Sequence, residues 1–206
     1  MSSYDPKTYW IEQGKVYRDR FQYNKNYDLQ ERMLIDYLKS INPFASVLEV
    51  GCGFGRITKL LLLNFPNIRK YVATDMSEDQ IEKAKDYLKN VRKDMSLVFL
   101  LSDIQSLKMD QDYDLVIASE VLMHVLPEEI VSVIEKLVKL SHRDIINIDY
   151  YEHPSRKLAT HNFLHRYEEI YRGISSVHDV RRIPIIKNGI FKIDTKQSIF
   201  HARMAL

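Results

Sequence analysis

The chain of 206 residues has one cysteine, Cys52, so no intrachain disulfide can form, which fits a reducing compartment. It has no long apolar run. The longest is about five residues, around KLLLLN, far below the roughly 20 that a membrane-spanning helix requires. The opening decapeptide MSSYDPKTYW lacks the apolar core of a secretory signal. Neither sign of charge dominates: the net charge is +2, which gives no electrostatic case for nucleic acid. There are no repeats, no low-complexity tract and no Gly/Ser linker. These absences set the expectation of a cytoplasmic protein that needs no membrane and no nucleic-acid partner.

What is present is the composition of a globular protein, 45% hydrophobic and 28% charged. The length suits one compact domain and is short for two. The one local bias is aromatic: Tyr4, Tyr9, Trp10, Tyr17, Phe21, Tyr23, Tyr27 and Tyr37 precede the first glycine-rich stretch.

Apolar strands alternate with helical periodicity. SVLEVG reads as a short buried strand ended by glycine, and RITKLLLLNF has helical spacing closed by Pro66 and Asn67. KYVATD is a second strand. In SEDQIEKAKDYLKNVRK, Ser77 and Gln80 stand at capping-box spacing, and Ile81, Ala84, Leu88 and Val91 form one apolar face. SLVFLLSD and YDLVIAS are a third and fourth strand. Pro127 is expected to open the helix PEEIVSVIEKLVKLSH, RDIINIDYY is a fifth strand, and HNFLHRYEEIYR reads as helical. The tail is β-rich, with a turn expected at Lys187-Asn188-Gly189. Arg181, Arg182 and Lys187 read as a solvated face in preference to a basic docking patch. Such alternation implies right-handed βαβ units and a parallel sheet covered on both faces. Ligands bind such sheets beyond the C-terminal strand ends.

The strand ends therefore carry the functional signal. Gly51, Gly53 and Gly55 follow the first strand as GxGxG, which matches neither the GxGxxG of dinucleotide binders nor a triphosphate loop ending in GK[ST]. Asp75 ends the second strand, 20 residues after Gly55, where a carboxylate accepts hydrogen bonds from a ribose diol. Asp103 ends the third, at a height where a carboxylate can accept from an exocyclic amine. Together they would grip a nucleoside without phosphates.

E-V-G-C-G-F-G, A-T-D-M-S, L-L-S-D-I and Y-D-L-V-I-A-S-E-V-L-M-H-V, in that order over residues 46–151, resemble the motif set of class I S-adenosylmethionine-dependent methyltransferases. The resemblance implies a Rossmann-like α/β three-layer sandwich. Its sheet would be seven-stranded and mostly parallel, with an antiparallel C-terminal strand, and an N-terminal helical lid would cover it. The whole chain, 1–206, would be one methyltransferase domain. Residues 1–40 would be the lid, 41–151 the cofactor-binding core, and 152–206 the substrate loop, helix and C-terminal strands.

The same resemblance implies roles. Glu49, Gly51, Gly53 and Gly55 would line the methionine and ribose part of S-adenosylmethionine, Asp75 would hold the ribose hydroxyls, and Met76 would pack on adenine. Asp103 would bond the adenine amine, the Ile104 backbone the ring, and Ser119 and Glu120 would border the transferred methyl. Arg32 or Arg56 would meet the cofactor carboxylate, and Tyr9, Trp10 and Tyr17 are lid candidates or plain core. Cys52 reads as a small packing residue. Transfer would be an in-line displacement, with alignment supplying roughly 7–11 kcal/mol. His124 is the first candidate for a catalytic base, with packing or orienting its loop as the alternative, and His161 and His165 are the next candidates. His161 and His165, four apart, would share a helical face beside the substrate loop. A metal held by them with His153 or Asp149 is the lesser reading, and no metal is expected.

No DPPY-like tetrapeptide follows the fourth strand and no cysteine is placed for pyrimidine chemistry, so the acceptor expected is a small molecule, methylated on oxygen or nitrogen. A protein acceptor such as a chain terminus, a cofactor-binding regulatory or scaffold subunit without turnover, and a nicotinamide oxidoreductase are the alternatives.

Overall fold

The computed structural model describes residues 4–109, 111–151, 159–187 and 193–205. Three helices come first: α1 (Pro6–Gly14), α2 (Tyr17–Arg20) and α3 (Lys25–Ile41). α1 starts where it does because the Asp5 carboxylate accepts from Thr8 N and Pro6 occupies the first turn, where a missing N–H costs nothing. Asn24 caps α3 by accepting from Asn26 N.

The alternating part runs β1 (Ser46–Val50), α4 (Arg56–Asn64), β2 (Lys70–Asp75), α5 (Glu78–Leu88), β3 (Ser96–Leu101), β4 (Tyr113–Ser119), α6 (Ile130–Lys139) and β5 (Ser141–Tyr150). α7 (Tyr167–Arg172), β6 (Val177–Lys187) and β7 (Ile193–Met204) complete it. The sheet order is β3-β2-β1-β4-β5-β7-β6. β1 to β5 are parallel, and β7 runs antiparallel between β5 and β6. From β1 the chain builds outward to β3 on one side and then returns to start β4 on the other. That reversal opens a crevice at the C-terminal ends of β1 and β4.

Alternate residues of the central strands serve opposite faces, as the pleat dictates. Val47, Leu115, Ile117, Ile146 and Ile148 pack under α3 and α4, against Leu34, Leu38, Leu61 and Leu62. Leu48, Val50, Val116, Ala118 and Ile145 pack under α6 and α7, against Val133, Ile134, Leu137 and Tyr171. Both faces are covered, so β1 and β4 are largely apolar, with Glu49 and Asp114 as the charged exceptions.

Three sequence expectations are corrected. Residues 127–129 form a turn and α6 opens at Ile130; the helix stops at Lys139 because Ser141 already pairs with Tyr113 at the start of β5. The helix expected over 161–172 is confined to Tyr167–Arg172. Upstream of it the chain is bonded to the turn after β4: Phe163 N donates to Met123 O at 2.7 Å and the His165 side chain, through Nε2, to Val125 O at 3.0 Å, while Asn162 N closes a turn on Ala159 O. His161 and His165 therefore share no helical face. Asn188 and Gly189 of the expected turn lie outside the described residues, as does His153.

Candidate active site

A cavity of about 620 Å³ sits in the crevice, floored by the C-terminal ends of β1, β2 and β4 and walled by α1, α2 and the turn after β4. Glu49, Gly51, Gly53, Asp75, Met76, Asp103, Ile104, Ser119 and His124 all line it. Gly55 does not. Its backbone is left-handed (φ 90°) at the start of α4, and a Cβ there would stand 2.7 Å from Leu88 Cδ1 of α5, so this glycine serves helix packing. Gly51, also left-handed (φ 69°), faces Val121, which a Cβ would strike.

The loop is bound to β2 at both of its turns. Cys52 N donates to Thr74 O at 2.8 Å, and Gly53 N donates to Asp75 Oδ2 at 2.8 Å. Asp75 Oδ1 accepts from Ser77 N at 2.9 Å, so the carboxylate joins the glycine loop to the start of α5. Desolvation raises its pKa against these backbone donors. Glu49 is buried, its Oε2 accepting from Thr58 Oγ1 at 2.5 Å and Tyr71 OH at 2.7 Å. Burial pushes it up to about 7 despite these bonds. The Cys52 thiol is raised by burial and by Glu49 and Asp75, which leaves it a protonated packing group.

Asp103 accepts from Ser106 N at 2.6 Å and from the Lys7 ammonium of α1 at 3.0 Å. Desolvation opposes its ionisation, but Lys7 and Ser106 together hold it below the usual carboxylate range. α1 is also seated on α5: Gln80 Nε2 donates to Gly14 O, and Gly14 lies so close to Ser77 that no side chain fits between.

Also on the cavity wall, Trp10 packs tilted against His124, ring centroids 4.3 Å apart. His124 Nδ1 lies 3.1 Å from His161 O; a carbonyl only accepts, so Nδ1 carries the proton and Nε2 keeps its lone pair. Burial pushes this imidazole down to about 4, so it is neutral at ordinary pH. Burial also lowers His161, which lines the cavity beside it, whereas His165 stands outside. Tyr9 packs behind the wall on His161 and Trp10, at 4.6 and 5.2 Å between centroids. Trp10 and Tyr17 reach the cavity. Arg56 does so too, but Arg32 is turned to solvent in an ion pair with Asp28.

Lys7, Gly14, Tyr27, Gln80, Tyr150 and Asn162 line the cavity without having been singled out from the sequence. Only Tyr150, at the end of the fifth strand, carried a positional signal; the rest are brought in by packing of α1, α3, α5 and the segment after β5. Among the described residues no group of three or more His, Cys, Asp or Glu is arranged to hold a metal. Asp149 is engaged by Asn147 Nδ2 and Met123 N, and burial pushes it up to about 8.

Residues 47–144 match the family model for a methyltransferase domain. This stretch, just under half of the chain, is thus similar to methyltransferases. A curated relative, the malonyl-[acyl-carrier protein] O-methyltransferase of Anoxybacillus flavithermus, is 34% identical over 98 residues; the match takes in 47% of this chain and 36% of that protein. The matched region thus spans about a third of the curated relative. Two solved methyltransferases share the fold. Magnesium protoporphyrin IX methyltransferase from Synechocystis PCC 6803, with bound SAM, superposes over 100% of both chains with a TM-score of 0.75 at 19% identity. The N-methyltransferase NodS from Bradyrhizobium japonicum WM9, in complex with S-adenosyl-L-homocysteine, covers 97% of this chain and 99% of its own with a TM-score of 0.74 at 17% identity.

Proposed function

We propose that this methyltransferase domain binds S-adenosylmethionine and directs its methyl group to an oxygen or nitrogen of a small-molecule acceptor by in-line displacement. The observation that carries the reading is that the glycine loop residues Gly51 and Gly53, Asp75, Asp103, Ser119, Glu120 and His124 all line a single cavity. The residues suit the cofactor. Gly51 and Gly53 present bare backbone, Asp75 and Asp103 present carboxylates with lone pairs to spare, and Gln80 Oε1 and Ser119 Oγ are buried polar atoms without a protein partner. When bound, the cofactor supplies a methyl group on a cationic sulfur, already activated for attack. A relative named as an O-methyltransferase and a structural neighbour named as an N-methyltransferase support an oxygen or nitrogen acceptor.

In this reading Asp75 takes the ribose hydroxyls and Asp103 the adenine amine, with Met76 and Ile104 against the base. Glu49, Gly51, Gly53 and Ser119 line the remainder. Gly55 contributes by setting the angle at which α4 leaves the loop. Of the lid expected over residues 1–40, α1 and α2 serve as the cover, latched by Lys7 on Asp103 and by Gly14 on Gln80, whereas α3 packs on the sheet. His124 is the base. Its neutral state and its Nε2 lone pair let it take a proton from an acceptor hydroxyl or ammonium, while Nδ1 fixes the ring on the His161 carbonyl.

The test is release of S-adenosylhomocysteine across a panel of small hydroxylated and amino acceptors, with peptides as a parallel set. Turnover on small molecules, lowered roughly 10²–10⁴-fold in kcat by His124→Gln with KM little changed, is the expected result. Turnover confined to peptides would replace the acceptor class, and cofactor binding without any turnover would favour a regulatory subunit.

A further inference from the structure

The corner of the cavity where β4 ends beside the start of α4 holds an uneven set of charges. Among the described residues Arg56 is its only cation, since Lys7, the other cationic residue lining the cavity, is paired with Asp103. Arg56 is already committed. Its Nη1 donates to Glu31 at 2.8 Å, and its Nη2 donates to Gln30 Oε1 at 3.1 Å and Glu120 Oε2 at 3.3 Å, with the guanidinium over the Tyr27 ring at 4.8 Å. Among the described residues, then, two carboxylates share one cation at this corner.

Glu120 is held hard in place. Gln197 Nε2 of β7 donates to its Oε1 at 2.7 Å, and Gln197 is oriented in turn by Gln30 of α3 at 3.0 Å. The backbone of Glu120 is left-handed (φ 58°), which a side-chain-bearing residue tolerates only where the surroundings enforce it, and its N–H donates to Ile148 O at 2.7 Å. A carboxylate with one partner on each oxygen still has lone pairs to offer. Two further acceptors, Ser119 Oγ and Asn162 Oδ1, are buried on the cavity wall without a partner. The rings of Tyr17, Tyr27 and Tyr150 line the same cavity, and desolvation keeps the Tyr17 and Tyr27 hydroxyls protonated, Tyr17 pushed up to about 12. An anionic acceptor would meet Glu120 and find its counter-charge taken. A group rich in N–H donors and positively charged would meet a carboxylate, unsatisfied oxygens and aromatic faces.

We propose that the methyl acceptor is an amine that enters as its ammonium ion and docks on Glu120, which makes Glu120 the residue that sets acceptor charge. This rests on the methyltransferase reading above and narrows it. Trp10 is the only tryptophan of the chain and lines the same cavity, so its fluorescence reports occupancy. The experiment titrates the protein, saturated with S-adenosylhomocysteine, with phenethylamine, 2-phenylethanol and 3-phenylpropionate. Phenethylamine is expected to bind about tenfold more tightly than either of the others. Glu120→Gln, checked for an intact thermal transition, is expected to erase that preference. The proposal is overturned if 3-phenylpropionate or 2-phenylethanol binds as tightly as the amine, if the preference survives Glu120→Gln, or if none of the three alters Trp10 emission. The comparison of the three probes on the wild-type protein stands even if the variant fails to fold. Absence of S-adenosylhomocysteine binding in the first place would sink the methyltransferase reading itself, which calorimetry detects before any probe is added.

Discussion

Two residues of the first loop show how burial and backbone geometry set this site. Glu49 is an acid in an apolar strand, kept by two hydroxyl donors, and its pKa of about 7 lies above the usual 4.5. A raised carboxyl favours folding while it is protonated in both states and loses that advantage as the unfolded chain ionises first. Wild-type stability relative to Glu49→Gln should therefore fall as pH rises from about 4.5 to about 7, by up to about 3 kcal/mol, and level off above. Denaturant melts of both proteins across that range read the difference; a constant difference would mean that Glu49 is not shifted. Gly51 is constrained twice, by its left-handed φ and by Val121. Gly51→Ala should lower stability by roughly 1–3 kcal/mol and impair cofactor binding together. Gly53, whose nearest neighbour for a Cβ is Gln80 Oε1 at 3.6 Å, should show the binding defect with a smaller loss of stability. Unfolding midpoints with and without S-adenosylhomocysteine separate the two effects.

Among the elements, α1 is the one whose role depends on a few contacts. It is seated by Gly14 on Ser77, Gln80 Nε2 on Gly14 O, Lys7 on Asp103, and the rings of Tyr9 and Trp10 on His161 and His124. Gly14→Ala should push α1 away from α5 while the sheet and its two cores stay intact. The expected signature is a red shift of Trp10 emission and faster amide exchange over α1 with the main unfolding transition nearly unchanged. A drop in the global transition with no change at Trp10 would place α1 in the core instead of over the cavity. The sequence held little of this. Strands and amphipathic helices declare themselves by period, so β1 to β5, α4 and α5 were legible to within a few residues. The stretch before α7 was misread because HNFLHRYEEIYR has helical composition, while the Phe163 backbone bonds Met123 and the His165 side chain bonds Val125, each 40 residues upstream. Tertiary hydrogen bonds overrode local propensity there. The helix expected from Pro127 began three residues late for a related reason: residues 127–129 are spent on a turn.

At the scale of the molecule, the sheet order 3-2-1-4-5-7-6 brings together strand ends that are far apart in the chain. The half of the site that follows strand ends, Glu49 to Gly53, Asp75, Asp103 and Ser119, could be read from order and spacing. Lys7, Tyr27 and Asn162 could not, because each arrives on an element whose docking no local pattern encodes. Arg32 and Arg56 looked equivalent as cations, and only the fold separates the exposed one from the one on the cavity wall. No helix among the described residues is long and apolar enough to cross a membrane. The account's central claim is that the crevice between β1 and β4 binds S-adenosylmethionine through Asp75. Calorimetric titration of the protein with S-adenosylmethionine tests it most directly. One site per chain is expected, weakened at least about 100-fold by Asp75→Ala in a variant whose thermal transition persists. No heat of binding to the wild-type chain, or equal affinity in the two proteins, would contradict it.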